Sequence, residues 1–391
     1  MSRTSGDSVD KEIDARLAKL LERKIRLHVV ATGAGAGIQE RLWRLPGCSS
    51  FLSGASFPYS LEESVAFAMG VTPESFASIP FAIDLATAAY LRAIDVSNVS
   101  NVSNVSKDDV EPVGLALTAS VASNRAHRGD HRVHVVCMTQ DRVIGRSVRL
   151  DKAIDGGVGP AARLADGKIA DREGLRVLLA AFDACWAQDL HTEDFRALAT
   201  ERFFERPVFE NGLRLRNAPP HVPIFPGAFN PPHAGHFGIA SALSAKRGMR
   251  EDVIFNVSST PPNKPSLTVQ EMLLRAKCLR ERTVLFSRQD PLYLDKARLH
   301  PGTPFVLGAD ALVRMLDPAW GAEPFAMLTE FESLRTSFYV FGRVVDVADG
   351  AFLSAEEAIA KVPTAFRRMF FPIPGRWDFS SSAIRAAERA S

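Results

Sequence analysis

From residue 221 onward, short apolar runs alternate with amphipathic stretches. "PIFPGAF" (223–229), "DVIFNVS" (252–258), "TVLFS" (283–287), "PFVLGAD" (304–310) and "SFYVFGR" (337–343) predict strands. Around 235–247, 268–282, 309–316 and 354–361 apolar residues recur at helical spacing. Such alternation predicts a parallel sheet with helices on both faces. Ligands of these sheets sit at the carboxyl ends of the strands, where the strand order reverses.

The first half is patterned less regularly. Ile13, Leu17, Leu20 and Leu21 predict an amphipathic helix over 10–24, and a buried strand at 27–33 runs into the glycine-rich "ATGAGAG" (31–37). Strands are expected at 114–120 and 132–139, and a helix at 172–188. The triplet repeat "VSNVSNVSNVS" (96–106) is too polar to bury and is expected to be a disordered loop. "RNAPPHVP" (216–223) marks the end of a linker. The expected organisation is an N-terminal tail and helix (1–24), an α/β domain (25–186), a helical connector and linker (187–220) and a second α/β domain (221–391). A chain of 391 residues is long for a single core, which fits two domains.

Composition adds exclusions. The chain is 46% hydrophobic and 24% charged with a net charge of +2, so no basic excess points to nucleic acid. Cys48, Cys137, Cys185 and Cys278 show no C-x-x-C spacing, as expected of reduced thiols. No apolar run approaches the roughly 18 residues of a membrane span, and the polar, acid-containing start does not resemble a secretory signal. A cytoplasmic protein without a membrane partner is expected.

Candidate chemistry gathers in "PGAFNPPHAGH" (226–236). His233 and His236 lie three positions apart at the start of a helical stretch, where such a pair ordinarily caps and packs. No acid or cysteine close in sequence completes a metal site. Their neighbours suggest another use. Gly227 lets backbone approach a ligand, Gly235 leaves room between the histidines, and the helix start offers free N–H groups to an anion. Far downstream, in "DFSSSAIRAAERA" (378–390), Ser380, Ser381 and Ser382 read as N-cap and first-turn residues, with Arg385 as a bidentate cation. Together the two segments describe a grip on a polyphosphate.

Gly227-Ala-Phe-Asn-Pro-Pro-His233-Ala-Gly-His236 resembles the (H/T)-x-G-H signature of the nucleotidyltransferase superfamily, and Ser380-Ser-Ser-Ala-Ile-Arg385 resembles its S-S-T-x-I-R signature. "PPNK" (261–264) and "VLGAD" (306–310) resemble the P-P-H-K and I-G-x-D segments of the nicotinate and nicotinamide mononucleotide adenylyltransferase branch. The resemblance implies a Rossmann-like parallel sheet that transfers an adenylyl group from ATP to a pyridine mononucleotide and releases pyrophosphate. It implies catalytic roles for His233, His236 and Arg385. Nucleotide and phosphate binding would fall to Gly227, Phe229, Asn230 and Gly235, to Ser380, Ser381 and Ser382, and to Lys264, Gly308 and Asp310, with Asp310 facing a ribose or metal-bound phosphates. Magnesium would come with the ATP phosphates and keep mostly water and phosphate ligands. Trp320, in "DPAWGAE" (317–323), would stack on the pyridine ring. The signatures address the triphosphate, so another phosphorylated acceptor such as phosphopantetheine, a CTP donor, or a non-catalytic nucleotide sensor stay open.

"LPGCSSFLSGASFPYS" (45–60) and "PVGLALTASVAS" (112–123) resemble the C-terminal domain of the CinA family, the fold of the nicotinamide-nucleotide amidase. That family's nucleophilic serine falls on Gly33 and its lysine on Ser64, so neither the nucleophile nor its activator is present. Tyr59 reads as a packing residue. A catalytically inactive domain is expected, serving ligand sensing or assembly, with a homo-oligomer formed through it. By analogy, a fusion of these two folds points to pyridine nucleotides.

Overall fold

The computed structural model describes residues 3–94, 110–126, 128–152, 155–187, 192–247, 253–262, 264–279, 282–318, 323–344, 351–379 and 381–390. The triplet repeat, Trp320 and Ser380 lie outside the described residues, as does the side chain of Ser382. The chain divides into two compact units, one running up to Glu205 and one from Arg206 onward.

The first unit contains α1 (Arg3–Leu20), β1 (Ile25–Thr32), α2 (Ala36–Trp43), β2 (Leu52–Ser56), α3 (Leu61–Phe67), α4 (Ile79–Ala93), β3 (Glu111–Ser120), β4 (His131–Met138), β5 (Val143–Leu150), α5 (Gly159–Ala180), α6 (Ala184–Ala187) and α7 (Thr192–Phe204). Its sheet runs β2-β1-β3-β4-β5, with β1 parallel to β2 and β3 and the last two strands antiparallel. Alternate residues of the central strands (Leu27, Val29, Leu115, Leu117, Val135) enter one core with Ile13 and Leu17 of α1 and Leu175 and Leu178 of α5. The opposite face is taken by α4, whose backbone at Ala86 and Tyr90 presses on Gly114 of β3. With a sheet covered on both sides, α4 is buried along most of its length and lacks the polar stripe that would mark it in the sequence. Ser78 caps it by accepting the Phe81 N–H at 3.3 Å.

Part of the segment expected to be a connector belongs to this unit. Arg202 of α7 donates to Asp84 of α4 through Nε (3.0 Å) and Nη2 (2.8 Å), and Asp84 is fully buried. The next residues form β6 (Val208–Glu210) and β7 (Leu213–Leu215), a hairpin that joins the second sheet.

The second unit continues with β8 (Ile224–Pro226), α8 (Ala234–Arg247), β9 (Ile254–Ser258), α9 (Val269–Cys278), β10 (Val284–Ser287), α10 (Tyr293–Leu299), β11 (Phe305–Gly308), α11 (Ala309–Met315), α12 (Pro324–Ser333), β12 (Phe338–Phe341), β13 (Arg343–Val344), β14 (Phe352–Leu353), α13 (Ala355–Ala360), β15 (Phe370–Ile373) and α14 (Ser381–Ala390). The five strands expected from the apolar runs are β8 to β12. Their order with β15 is β15-β12-β11-β8-β9-β10, all parallel, with the β6–β7 hairpin antiparallel at the far edge. One face packs Phe305, Phe338 and Phe370 against Phe331 and Leu328 of α12. Phe338 and Phe370 are cross-strand partners whose rings stack at 4.9 Å. β15 was not foreseen: its sequence "FFPI" carries Pro372, which an edge strand tolerates because one side of its ladder is unpaired.

Candidate active site

Within the second unit, β8 and β11 are neighbours, with Phe305 opposite Ile224. The chain leaves β8 toward β9 and leaves β11 toward β12, in opposite directions across the sheet. That divergence opens a crevice beyond the carboxyl ends of β8 and β11. The segment 227–233 follows β8 into it, and Asp310 follows β11.

The loop after β8 is fixed from several sides. Gly227 donates its N–H to Asn256 O at 3.0 Å, and Arg275 Nη1 donates to Ala228 O at 2.9 Å. Phe229 adopts φ 45, uncommon for a bulky residue. Its ring, 1% exposed, lies edge-on to Phe225, Phe255 and His236 at 5.6, 5.1 and 4.9 Å. Phe229 therefore holds the loop on the core while lining the cavity.

α8 starts at Ala234, so both histidines stand at its first turn. Their rings stack at 3.7 Å. His236 Nδ1 accepts the His233 N–H at 3.2 Å, which places the proton of a neutral ring on Nε2 as a donor. Burial holds His236 down to about 3, with the nearby charges of His233 and Arg343 adding to it. His233 is held down to about 4 by burial and then by Arg343. Both are neutral donors near neutral pH. The buried Nδ1 of His233 has no hydrogen-bond partner among the described residues. A Cβ on Gly235 would stand 3.1 Å from that Nδ1 and 3.2 Å from Phe379 Cβ, so glycine keeps the ring in place.

The second signature segment is tied to the first. Ser381 Oγ donates to Pro231 O at 2.9 Å, and Arg385 Nη1 donates to Asn230 O. Asn230 thus contributes its carbonyl, while its buried Oδ1 has no hydrogen-bond partner among the described residues. The two segments, some 150 residues apart, line one cavity of about 290 Å³.

Lys264, Arg314, Arg343 and Arg385 line that cavity, and Asp310 is the acid among them. The Lys264 ammonium is held below its ordinary range, first by desolvation and then by Arg385, Arg275 and Arg314. Asp310 Oδ2 accepts from Arg314 Nη2, and its Oδ1 lies 4.0 Å from Arg343 Nε. Its carboxylate is therefore engaged by arginines within the cavity lining. Gly308 caps α11 beside it. The sequence reading missed Arg314, Arg343 and Arg275. Arg314 reads as a solvated helix residue, although its spacing of four from Asp310 signals a pair. Arg275 carried a clearer signal, since it sits on the apolar face of α9 with Met272 and Ala276.

The first unit has its own cavity, of about 370 Å³, beside residues 33–37. Gly33 has φ +83, and a Cβ there would stand 2.1 Å from Ala119 O. Ser64 is buried and donates to Pro58 O at 3.1 Å, away from that lining. Asp171 Oδ1 accepts the Gly37 N–H at 3.0 Å, so a carboxylate already occupies the start of α2. Tyr59 is not a packing residue: it is 72% exposed, and its hydroxyl accepts from Arg163 at 3.1 Å.

Residues 224–387 match the family model described as Cytidylyltransferase-like, so the second unit carries a domain of the nucleotidyltransferase superfamily. No curated protein matches the chain. Among solved structures, a competence-damaged protein (CinA) superfamily protein from Escherichia coli is similar at 14% identity and a TM-score of 0.34, covering 46% of this chain and 95% of its own. The competence/damage inducible protein CihA from Agrobacterium tumefaciens has 14% identity and a TM-score of 0.33 over 44% of this chain and 96% of its own. A competence or damage-inducible protein from Enterobacter asburiae has 17% identity and a TM-score of 0.31 over 44% and 97%. Among the described residues no helix is long and apolar enough to cross a membrane.

Proposed function

We propose that the cytidylyltransferase-like second unit transfers an adenylyl group from ATP to a pyridine mononucleotide and releases pyrophosphate. The observation that carries this reading is the joining of the two signature segments, through Ser381 and Arg385, around one cationic cavity at the reversal of strand order. A non-bridging oxygen of the acceptor phosphate forms a bond to the α-phosphorus. The bond from that phosphorus to the oxygen bridging to the β-phosphate breaks, and its electron pair leaves with pyrophosphate. No covalent enzyme intermediate is required, so catalysis rests on positioning and charge stabilisation.

In this reading His236 Nε2–H and the His233 ring donate to the α-phosphate oxygens. Arg385 and Ser381 hold the β- and γ-phosphates, with Lys264 beside them. Magnesium would neutralise the triphosphate and be held by phosphate oxygens and water, since Asp310 is engaged by Arg314. The pyridine assignment is supported by the "PPNK" and "VLGAD" segments. The matched model's description favours CTP as the rival donor.

We further propose that the first unit hydrolyses no amide, because backbone and Ala119 exclude a side chain at Gly33 and Ser64 is turned to Pro58. The testing experiment is a screen of the purified full chain with ATP and CTP against nicotinate mononucleotide, nicotinamide mononucleotide and phosphopantetheine, following pyrophosphate. Release with ATP and a pyridine mononucleotide is expected. Release only with CTP or only with phosphopantetheine would replace this reading, and no release with any pair would refute transfer.

A further inference from the structure

The cavity of the first unit, at about 370 Å³, has the volume of a small-molecule site, although no nucleophile stands at Gly33 on its lining. Ala31, Ala34, Ala36 and Val121 give it apolar walls, and Phe57 and Tyr59, both exposed, present ring surface to it. Such ring surface is stabilised when a flat apolar partner covers it. Tyr59 is held in place for that contact. Arg163 Nη2 donates to its hydroxyl at 3.1 Å and to Gly33 O at 3.3 Å, while Nη1 donates to Ala122 O at 2.9 Å. Arg163 thus directs these hydrogen bonds to neutral oxygens of the cavity wall and fixes the ring there.

The charge of the cavity is set at the start of α2. Helix starts attract anions, and here the chain supplies its own. Asp171 Oδ1 accepts the Gly37 N–H at 3.0 Å, and a Cβ on Gly37 would stand 2.2 Å from Oδ2, so glycine is what lets the carboxylate reach the helix. Burial, the largest influence, pushes the Asp171 carboxyl above its ordinary range, against the N–H groups of Gly37 and Ile38. A second anion beside it would meet a desolvated carboxylate and like-charge repulsion. The place that a ligand's anionic group would take is already filled.

We propose that this cavity binds an uncharged aromatic ring against Tyr59 and Phe57, and that Asp171 excludes ligands whose ring carries an anionic group, phosphate included. The proposal goes beyond the transfer reading and does not depend on it. A unit that hydrolyses no amide keeps a binding role, with a ligand chemistry set by its own carboxylate.

The test compares benzamide with benzoate, two probes of one shape that differ by a negative charge near neutral pH. Binding to the purified full chain is followed by line broadening of the probe in NMR spectra. Benzamide is expected to bind wild type about tenfold more tightly than benzoate, from roughly one like-charge contact. Asp171→Asn keeps an oxygen for the Gly37 N–H and removes the charge, so it should bring benzoate to within about twofold of benzamide. Gly167→Leu localises the binding. Gly167 lines the cavity from within α5, a Cβ there meets nothing within 4 Å, and leucine favours a helix more than glycine does. This variant should keep or raise Tm while weakening benzamide about tenfold or more, since its side chain fills the space the ring would take. Equal or tighter binding of benzoate in wild type would make Arg163 an anion partner and overturn the proposal. Absence of benzamide binding, or binding that survives Gly167→Leu, would overturn it as well. An unchanged preference in folded Asp171→Asn would overturn the exclusion by Asp171.

Discussion

The stacked histidines make two separable demands on chemistry and on stability. As donors to charge formed in the transition state, His233→Ala and His236→Ala should each lower kcat on the order of 100- to 1,000-fold with little change in KM for ATP. Steady-state kinetics on folded variants check this, and near-wild-type turnover would remove both residues from the mechanism. Their stability effect follows from the depressed protonation. The unfolded histidine takes up its proton near 6.5 and the folded rings only near 4 and 3. Between those limits the unfolded state binds more protons, so stability rises with pH through that window and is complete above it. Tm should therefore fall as pH is lowered from 7 to 4.5, and His236→Gln should flatten that slope. An equally steep slope in the variant would assign the effect to other groups, among them His28, which burial holds down to about 4.

Helices were legible where one side meets water. α9, expected at 268–282, spans Val269–Cys278 with its Thr268–Glu271 capping box intact, and α1 carries the expected Ile13 and Leu17 into the core. α4 was missed because burial on nearly every side erases the 3.6-residue period. α7, expected as part of a connector, is fixed by an ion pair that no periodicity announces. Asp84→Ala would leave the Arg202 guanidinium without its buried partner and should cost about 3 kcal/mol, near the low end for a broken buried pair because Glu205 also engages Arg202. Urea denaturation of the full chain measures this. A loss comparable to an ordinary surface substitution would mean that α7 docks by apolar contact alone.

For the whole molecule, the two units are expected to differ in chemistry. Ammonia release from nicotinamide mononucleotide should stay at background, and release abolished by a substitution within residues 31–64 would show an active first unit. The charge of a cavity of about 240 Å³ beside the first, lined among others by Lys264, Arg275, Lys296 and Arg314, bears on the substrate. With Lys264 and Arg275 on its described lining beside the paired Lys296–Asp290 and Arg314–Asp310, it disfavours the positively charged ring of nicotinamide mononucleotide relative to nicotinate mononucleotide, whose ring carboxylate offsets that charge. A kcat/KM about tenfold higher for nicotinate mononucleotide is expected from roughly one charge-assisted interaction. Equal efficiency would place the ring outside that cavity.

The sequence by itself determined the alternating architecture of the second unit and the two segments that meet in its cavity. Apolar runs of strand length and a glycine between two histidines express local constraints, and local constraints are written in adjacent residues. Tertiary structure decided what depends on distant partners. It placed Arg385 on the Asn230 carbonyl and Asp310 on Arg314. It also buried Arg275 against the Ala228 carbonyl, took α7 into the first unit, and added a proline-bearing edge strand. Each of these turns on which groups share a low-dielectric space or an open sheet edge. Chain order does not record that proximity, because it is created when the sheet brings together strands far apart in sequence.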